Sequence, residues 1–450
     1  MIYSDHLTVT GMSGITIFKH AIVVTMDTKR SILEDGAVVV EADRILAVGS
    51  TDSITKKYKS DREIDAKKKV ILPGLVSLHF HSDNFSRGVG EHMGLEEWLD
   101  KLYYPMLQAM TPDDAYAAAM LAYAEALKSG STTVNDMYRH IPTCADAAEK
   151  IGIRAVLSSE AADLIDGQET LADNEKAVVA KNNAANGRIK VWFGAEWVPV
   201  CSPEFFEKTR ELANKYKVGI HVHLNESIGE VELCKKKFGQ RPVEHVYNLG
   251  LLGRDVVAAH CVWLSDKEIK IFAQTQTQIA HCPVSNAKLG NGVARTLDMM
   301  AAGLNIGLGP DDAPCNNSVD MFEVMKYASL LQKATRLDAS VMPSAQVLEM
   351  ATINGAKALG MEHELGSIEP GKKADLIAVD LNTPRLTPVH FGEYSNILQH
   401  LVYAAHGDDV DTVMIDGRIV MEKKRLLTVN EGEIVERATD RARQLIARIR

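Results

Sequence analysis

Two carboxylates stand side by side in Gly307–Ser318, "GLGPDDAPCNNS", directly after an apolar run. Like charges that close repel, so Asp311 and Asp312 need a reason to be neighbours beyond solubility. Imidazoles recur at comparable places. "LHFHSD" carries His79 and His81 two apart, which on a strand puts both side chains on one face. "HVHLNES" carries His221 and His223, and "AHC" carries His260. A single His on an apolar strand is ordinarily a satisfied core residue. Several imidazoles and a carboxylate at the ends of different strands are instead the ligand set of a catalytic Zn²⁺ or Fe²⁺. His221 shares the face of His223 but lies deeper, so it is expected to support the ligands rather than join them.

Something must bring these strand ends together. Between residues 70 and 365 eight apolar runs alternate with helical stretches: "VILPGLVSLHF", "STTVNDM", "IRAVLSS", "IKVWFGAE", "VGIHVHL", "VVAAHCV", "TQIAHCP" and "NIGLGPD". Near-continuous apolar strands separated by helices indicate a parallel sheet buried on both faces. The count of eight, with polar residues at the strand C-termini, predicts a TIM-type (β/α)8 barrel whose mouth gathers them. "ITIFKHAIVVT", "GAVVVEADRILAVG", "GKKADLIAVDL" and "VDTVMIDGRIVME" read as short strands at the two chain ends. Residues 1–69 and 366–450 are therefore expected to form one β-sandwich with a C-terminal helix, flanking a barrel of 70–365.

Composition limits the function. Fifty basic against sixty acidic residues give a net charge of −10, which argues against a nucleic-acid partner. No apolar run approaches the ~20 residues that span a bilayer. Met1–Gly14 has no basic and apolar leader pattern. Six scattered cysteines without CxxC spacing suit reduced thiols in the cytoplasm.

The chain resembles the amidohydrolase superfamily, in the branch of metal-dependent deaminases and chlorohydrolases. That branch includes methylthioadenosine/S-adenosylhomocysteine deaminases and s-triazine hydrolases such as melamine deaminase. The likeness runs through "LPGLVSLHFH", "LEEWL", "ALKSGSTTVNDM", "HVHLNES", "AHCVWLSDKEI", "HCPVSNAKLGNG", "GLGPDD", "NNSVDMF", "MATINGAKALGM" and "GSIEPGKKADLIAVDL". It implies one divalent metal per subunit, zinc first with iron or manganese as alternatives. The ligands would be His79, His81, His223 and Asp311, with His260 at the metal or its water. It implies a general acid/base at Glu226, where the residue-level alternative is a helix cap or a solvated charge. His260 and Asp311 would orient and help deprotonate the attacking hydroxide. No lysine ends a mid-barrel strand to bridge a second metal, since Lys190 opens its strand. The expected partners are a heterocyclic substrate and water, in a homo-oligomer, dimer or tetramer.

The substrate side shows departures from the resemblance. Adenosine-type members read "PHAPYTCSPE" where this chain reads "AEWVPVCSPE", which puts Glu196 in place of a His. A carboxylate suits an N–H edge better than an imine nitrogen; the alternative is that Glu196 turns to solvent. "GTDGAASNNS" of those members becomes "GPDDAPCNNS", an Asp-Asp-x-x-Cys pattern similar to the amine-removing triazine enzymes. Asp312 can accept a hydrogen bond from a leaving amine, whereas the dehalogenating relative carries Asn there. Deamination of an amino-purine, pterin or s-triazine ring is thus expected, with hydrolytic dehalogenation as the alternative. Asn84 and Trp98 are further candidate substrate contacts, Trp98 being equally suited to a helix core. Cys315 either contacts substrate or fills a small space. "HCPVSN", with His281 and Ser285, is expected to form a loop closing the mouth.

Overall fold

The computed structural model describes residues 14–449. Met1–Ser13, most of the stretch read for a leader, and Arg450 lie outside the described residues.

The eight apolar runs all become parallel strands, in chain order around the centre. A four-stranded sheet runs Leu75–Phe80, Ser131–Tyr138, Arg154–Ser159 and Ile189–Val191. A five-stranded sheet runs Phe193–Trp197, Ile220–Leu224, Val256–His260, Gln278–His281 and Ile306–Leu308. The first three strands have no exposed residue, as expected for strands covered by helices on one side and each other's side chains on the other. The two sheets share one run, "IKVWFGAEW", interrupted only at Trp192, whose N–H donates to Leu157 O at 2.7 Å. At the other seam Phe80 and Asp311 form a parallel bridge. This neighbourhood already places the first and eighth strand ends side by side. "HCPVSN" differs from its expectation: after the strand it folds into the helix Pro283–Lys288, because Pro283 supplies a preset first-turn φ.

The run "VILPGLVSLHF" is two strands. Lys69–Pro73 belongs to a different, nine-stranded sheet, and Leu75–Phe80 enters the barrel. The two chain ends meet in that sheet where Leu376–Asp380 pairs antiparallel with Lys69–Pro73. Its strands form one hydrogen-bonded sheet rather than two, with Arg62–Asp65 branching off the path beside Ile15–Val24. The sheet curls until the turn at Ala42 touches Gly417. There φ is 71°, and a Cβ would lie 1.8 Å from Ala42 O, so glycine is required on both counts. Phe18, Val38, Ile71, Leu376 and Met414 share the core enclosed by the curl.

The C-terminal helix Glu431–Ile449 packs on the barrel helix Pro112–Lys128 rather than on the end sheet. It buries Ile434, Ala438 and Leu445, and Arg441 reaches the buried Asp114 at 2.7 Å. End sheet and barrel are tied by Arg154, at the start of the third barrel strand. Its guanidinium grips Asp375 through Nε (2.8 Å) and Nη2 (3.0 Å) and Asp416 at 2.5 Å. Replacing Arg154 by Ala leaves the buried Asp375 without its cation, while Asp416 keeps Lys373 at 3.4 Å. The expected cost is about 3–5 kcal/mol, read as a lower denaturant midpoint.

Candidate metal centre and catalytic site

Five of the residues singled out in the sequence converge at the strand C-termini. The Nε2 atoms of His79 and His81 are 3.2 Å apart, and those of His81 and His223 are 3.1 Å apart. Asp311 Oδ1 lies 3.4 Å from His79 Nε2 and 3.6 Å from His81 Nε2. His260 joins through two donor groups, one with His79 and His223 and one with Glu226 and Asp311. All five are buried. His260 and Asp311 achieve this with left-handed backbone, φ 67° and 68°, a strain that turns their side chains inward from the ends of their strands.

The donor set fits a divalent cation. Ligand bonds of ~2.1 Å at tetrahedral to octahedral angles put donor atoms about 3.0–3.4 Å apart, close to the spacings observed. Each imidazole also has its Nδ1 against a protein group, which leaves Nε2 for a metal. His79 Nδ1 meets His221 Nε2 at 2.9 Å, His260 Nδ1 meets Asn286 Oδ1 at 3.0 Å, and His223 Nδ1 donates to Glu196 O. His81 Nδ1 lies 2.7 Å from Glu160 Oε1. His221 is thus a support for His79, as its deeper position suggested.

Electrostatics agree. Burial, together with neighbouring imidazoles, holds His79 and His223 well below the usual histidine range, so both are neutral with free lone pairs. His81 goes the other way. Burial lowers it, but Glu160, Asp311 and Asp312 outweigh that and push it up to about 10. The acids favour a positive charge at this point, and a metal cation supplies one. Gly309 keeps the cluster in place: a Cβ there would lie 2.6 Å from His79 O and 2.8 Å from His79 Cβ. Gly309→Ala is expected to displace His79 and weaken metal binding about 10–100-fold, measured by competition with a chromogenic chelator.

The model of the amidohydrolase family matches residues 70–420. The chain belongs to the amidohydrolase family. It is 39% identical over 436 residues to a 5'-deoxyadenosine deaminase of Methanosarcina acetivorans, covering 96% of this chain and 98% of that protein. It is 38% identical to a 5-methylthioadenosine/S-adenosylhomocysteine deaminase of Pelotomaculum thermopropionicum, covering 96% and 99%. A zinc-bound crystal structure of an adenosine deaminase from Xanthomonas campestris superposes with a TM-score of 0.89 at 29% identity, covering 96% and 98%. The fold of this amidohydrolase is accordingly the TIM-type α/β barrel, and a divalent metal is the family's cofactor.

In this amidohydrolase Glu226 lies beside the cluster, buried, with Oε1 accepting from Asn291 Nδ2 at 2.9 Å and Oε2 3.7 Å from His260 Nε2. The helix cap is Ser227, whose hydroxyl accepts from Glu230 N, so Glu226 is left for other work. Burial and the charge of Asp311 raise its carboxyl well above the usual range, which suits a group that must donate a proton as well as take one.

The cavity over the centre is lined by Trp98, Glu196, Asp312 and Cys315 among the expected substrate contacts. Trp98 lines the cavity and is buried, stacked on Tyr103 with ring centroids 4.6 Å apart. Glu196 does not turn to solvent; it is 4% exposed, and Tyr104 donates to its Oε1 at 3.0 Å. Asp312 lines the cavity while its Oδ1 caps the short helix Ala313–Asn316 through Cys315 N at 2.5 Å. Burial, then Asp311, push its carboxyl up to about 8. Cys315 is a buried thiol held in its neutral form. Asn84 does not line the cavity; its amide donates to Glu125 at 3.2 Å.

Several residues of the site escaped sequence reasoning. Glu160 directly follows the third strand, "IRAVLSS", and its strand-end position was the available signal. Asn291 and Tyr103 sit in a loop and a helix, and nothing in their spacing ties them to the strand ends. Asp136 accepts from Ser82 N at 3.0 Å and Ser82 Oγ at 2.5 Å, pinning the residue after His81.

Proposed function

We propose that this amidohydrolase removes an exocyclic amino group, as ammonia, from an amino-substituted N-heterocycle. The observation that carries the reading is Glu226, a buried carboxyl with raised proton affinity set against the donor cluster and hydrogen-bonded by Asn291. The deaminase names of its relatives support it. His79, His81, His223, His260 and Asp311 would hold one divalent ion, zinc first, with iron or manganese as alternatives. Such a cation lowers the pKa of water towards ~7 and so supplies hydroxide at neutral pH. Glu226 takes the proton of the attacking water and returns it to the ring nitrogen next to the amine-bearing carbon. The second proton of that water, passed from the added hydroxyl to the amine, lets the amine leave as ammonia, and the ring keeps a carbonyl. Asp311 and His260 orient the water. Asp312 and Cys315 lie beside them, and Trp98 offers a flat face to the ring.

Amino-purine or adenosine-type, pterin and s-triazine rings are the candidate substrates. Dehalogenation is not favoured, since the relatives at 38–39% identity are named deaminases. We read the end sheet, built from strands between Ile15 and Pro73 and between Leu376 and Leu426, as a domain flanking the barrel. No helix among the described residues is long and apolar enough to cross a membrane; a cytoplasmic dimer or tetramer is part of the proposal. The test is ammonia release by metal-replete enzyme from adenosine analogues, guanine, pterins, melamine and ammeline. Release from at least one class is expected, and silence on all of them sinks the reading.

A further inference from the structure

The third and fourth barrel strands end in Glu160 and Glu196, and neither belongs to the donor groups of the metal centre. Both are almost completely buried, at 1% and 4% exposure, and both line the cavity with His81, Glu226 and Asp311. Each is half satisfied in the same manner. Tyr103 OH donates to Glu160 Oε1 at 2.6 Å, and Tyr104 OH donates to Glu196 Oε1 at 3.0 Å. The second oxygen of each, Oε2, is buried without a hydrogen-bond partner among the described residues. A buried carboxylate oxygen left without a donor is costly. Two of them on adjacent strands of one cavity call for donors that the protein does not provide.

The position of the pair says where those donors belong. Glu160 touches Nδ1 of His81, while Nε2 of the same ring faces the donor cluster. Glu160 is thus set off from the centre by the width of one imidazole. A heterocycle whose amine-bearing carbon lies at the centre would bring its own far edge to that distance. The hydroxyls of a sugar on such a ring would lie beyond it. Leu95, Trp98 and Leu99 supply apolar wall for the ring faces, so polar recognition falls to the edges. Burial, with Glu160 beside it, pushes the Glu196 carboxyl up to about 8; N–H donors at its free Oε2 would favour the ionised, accepting form, whereas a ring nitrogen lone pair at Oε2 of Glu160 would meet it unfavourably.

We propose that Glu160 and Glu196 read N–H donors on the ring edge remote from the leaving amine. The preferred substrate is then a heterocycle with a second amino group or a ring N–H, as in a diaminopurine or a diamino-s-triazine. This rests on the reading of the chain as an amino-heterocycle deaminase.

The test uses metal-replete enzyme and two matched series. One is 5'-deoxyadenosine, its 2-amino derivative and its 2',3'-dideoxy derivative; the other is mono-, di- and triamino-s-triazine. In whichever series is turned over, the ring with the additional amine is expected to have the higher kcat/KM, by about 10–100-fold, the worth of one or two charge-assisted hydrogen bonds. Glu196→Gln and Glu160→Gln are each expected to shrink that preference at least severalfold, mainly through KM. Metal content and melting temperature confirm that each variant is folded and loaded. If Glu160→Gln loses metal through His81, Glu196→Gln decides. Turnover without preference for the additional amine overturns the inference and leaves the deaminase reading standing. So does a preference that survives in the loaded variants. If the variants instead erase discrimination between the sugar diol and the dideoxy compound, the glutamates read the sugar and the inference is wrong. Ammonia from neither series, with release from guanine or a pterin, overturns this inference alone; silence on every class overturns the deaminase reading and this inference with it.

Discussion

Glu226→Gln is expected to keep the metal at one ion per chain and to lower kcat by about 10²–10⁴-fold, the usual worth of a positioned general acid/base. The argument is geometric before it is electrostatic. Glu226 Oε2 stands 3.7 Å from His260 Nε2, at the edge of the donor cluster, and Asn291 holds the other oxygen at 2.9 Å. Gln preserves shape and one hydrogen-bond acceptor but cannot carry a proton between water and ring. Metal analysis beside steady-state kinetics separates this from a ligand role. A variant that loses its metal along with its activity would make Glu226 a ligand, and a variant that retains activity would remove it from the proton path.

Stripping the metal with a chelator is expected to abolish ammonia release altogether, and Zn²⁺ to restore it. His223→Ala should prevent the restoration, because it removes one of three Nε2 donors that stand within 3.2 Å of a neighbour. Stability should follow occupancy. An ion that binds only the folded chain adds about 4 kcal/mol at a thousandfold excess over its Kd, visible as a higher melting temperature. The pH dependence has a definite sign. His79 and His223 are held neutral, so they do not compete with the metal through ordinary acidity. His81, raised to about 10, carries a proton that the metal must displace. Affinity should therefore rise with pH, by roughly tenfold per unit between about 6 and 9. Affinity independent of pH over that window would show that His81 holds no proton for the metal to displace.

The donor cluster was legible because strand geometry is local. Alternation along a strand puts His79 with His81 and His221 with His223, and a parallel barrel sends every strand C-terminus to one end. His79, His81, His223, His260 and Asp311 could each be read off as strand-end residues, and they meet. Asp312 was legible as a second acid, but not as the cap of Ala313–Asn316, which depends on a turn closing over it. Glu160 sat in plain view at a strand end. What hid it was the absence of a motif; its role rests on the 2.7 Å approach to His81 across two strands. Asn84 misled for the opposite reason. Three residues past His81 the chain has left the strand, alternation no longer applies, and Glu125 of a neighbouring helix claims the amide.

The "PDD" that ends the eighth strand shows the division. Residue types and strand periodicity alone determined that Asp311 would close an apolar strand and stand with imidazoles from other strand ends, because burial and alternation are properties of a few consecutive residues. Tertiary structure decided everything that depends on distance between strands. It gave Asp311 its left-handed backbone beside His79, set Asp312 to cap a helix while facing the cavity, and left Oε2 of Glu160 and of Glu196 without a donor. It also split "VILPGLVSLHF" at Gly74, where a Cβ would strike Thr132, into an end-sheet strand and a barrel strand. Those outcomes are set by which surfaces pack together, and that packing has no signature in local spacing.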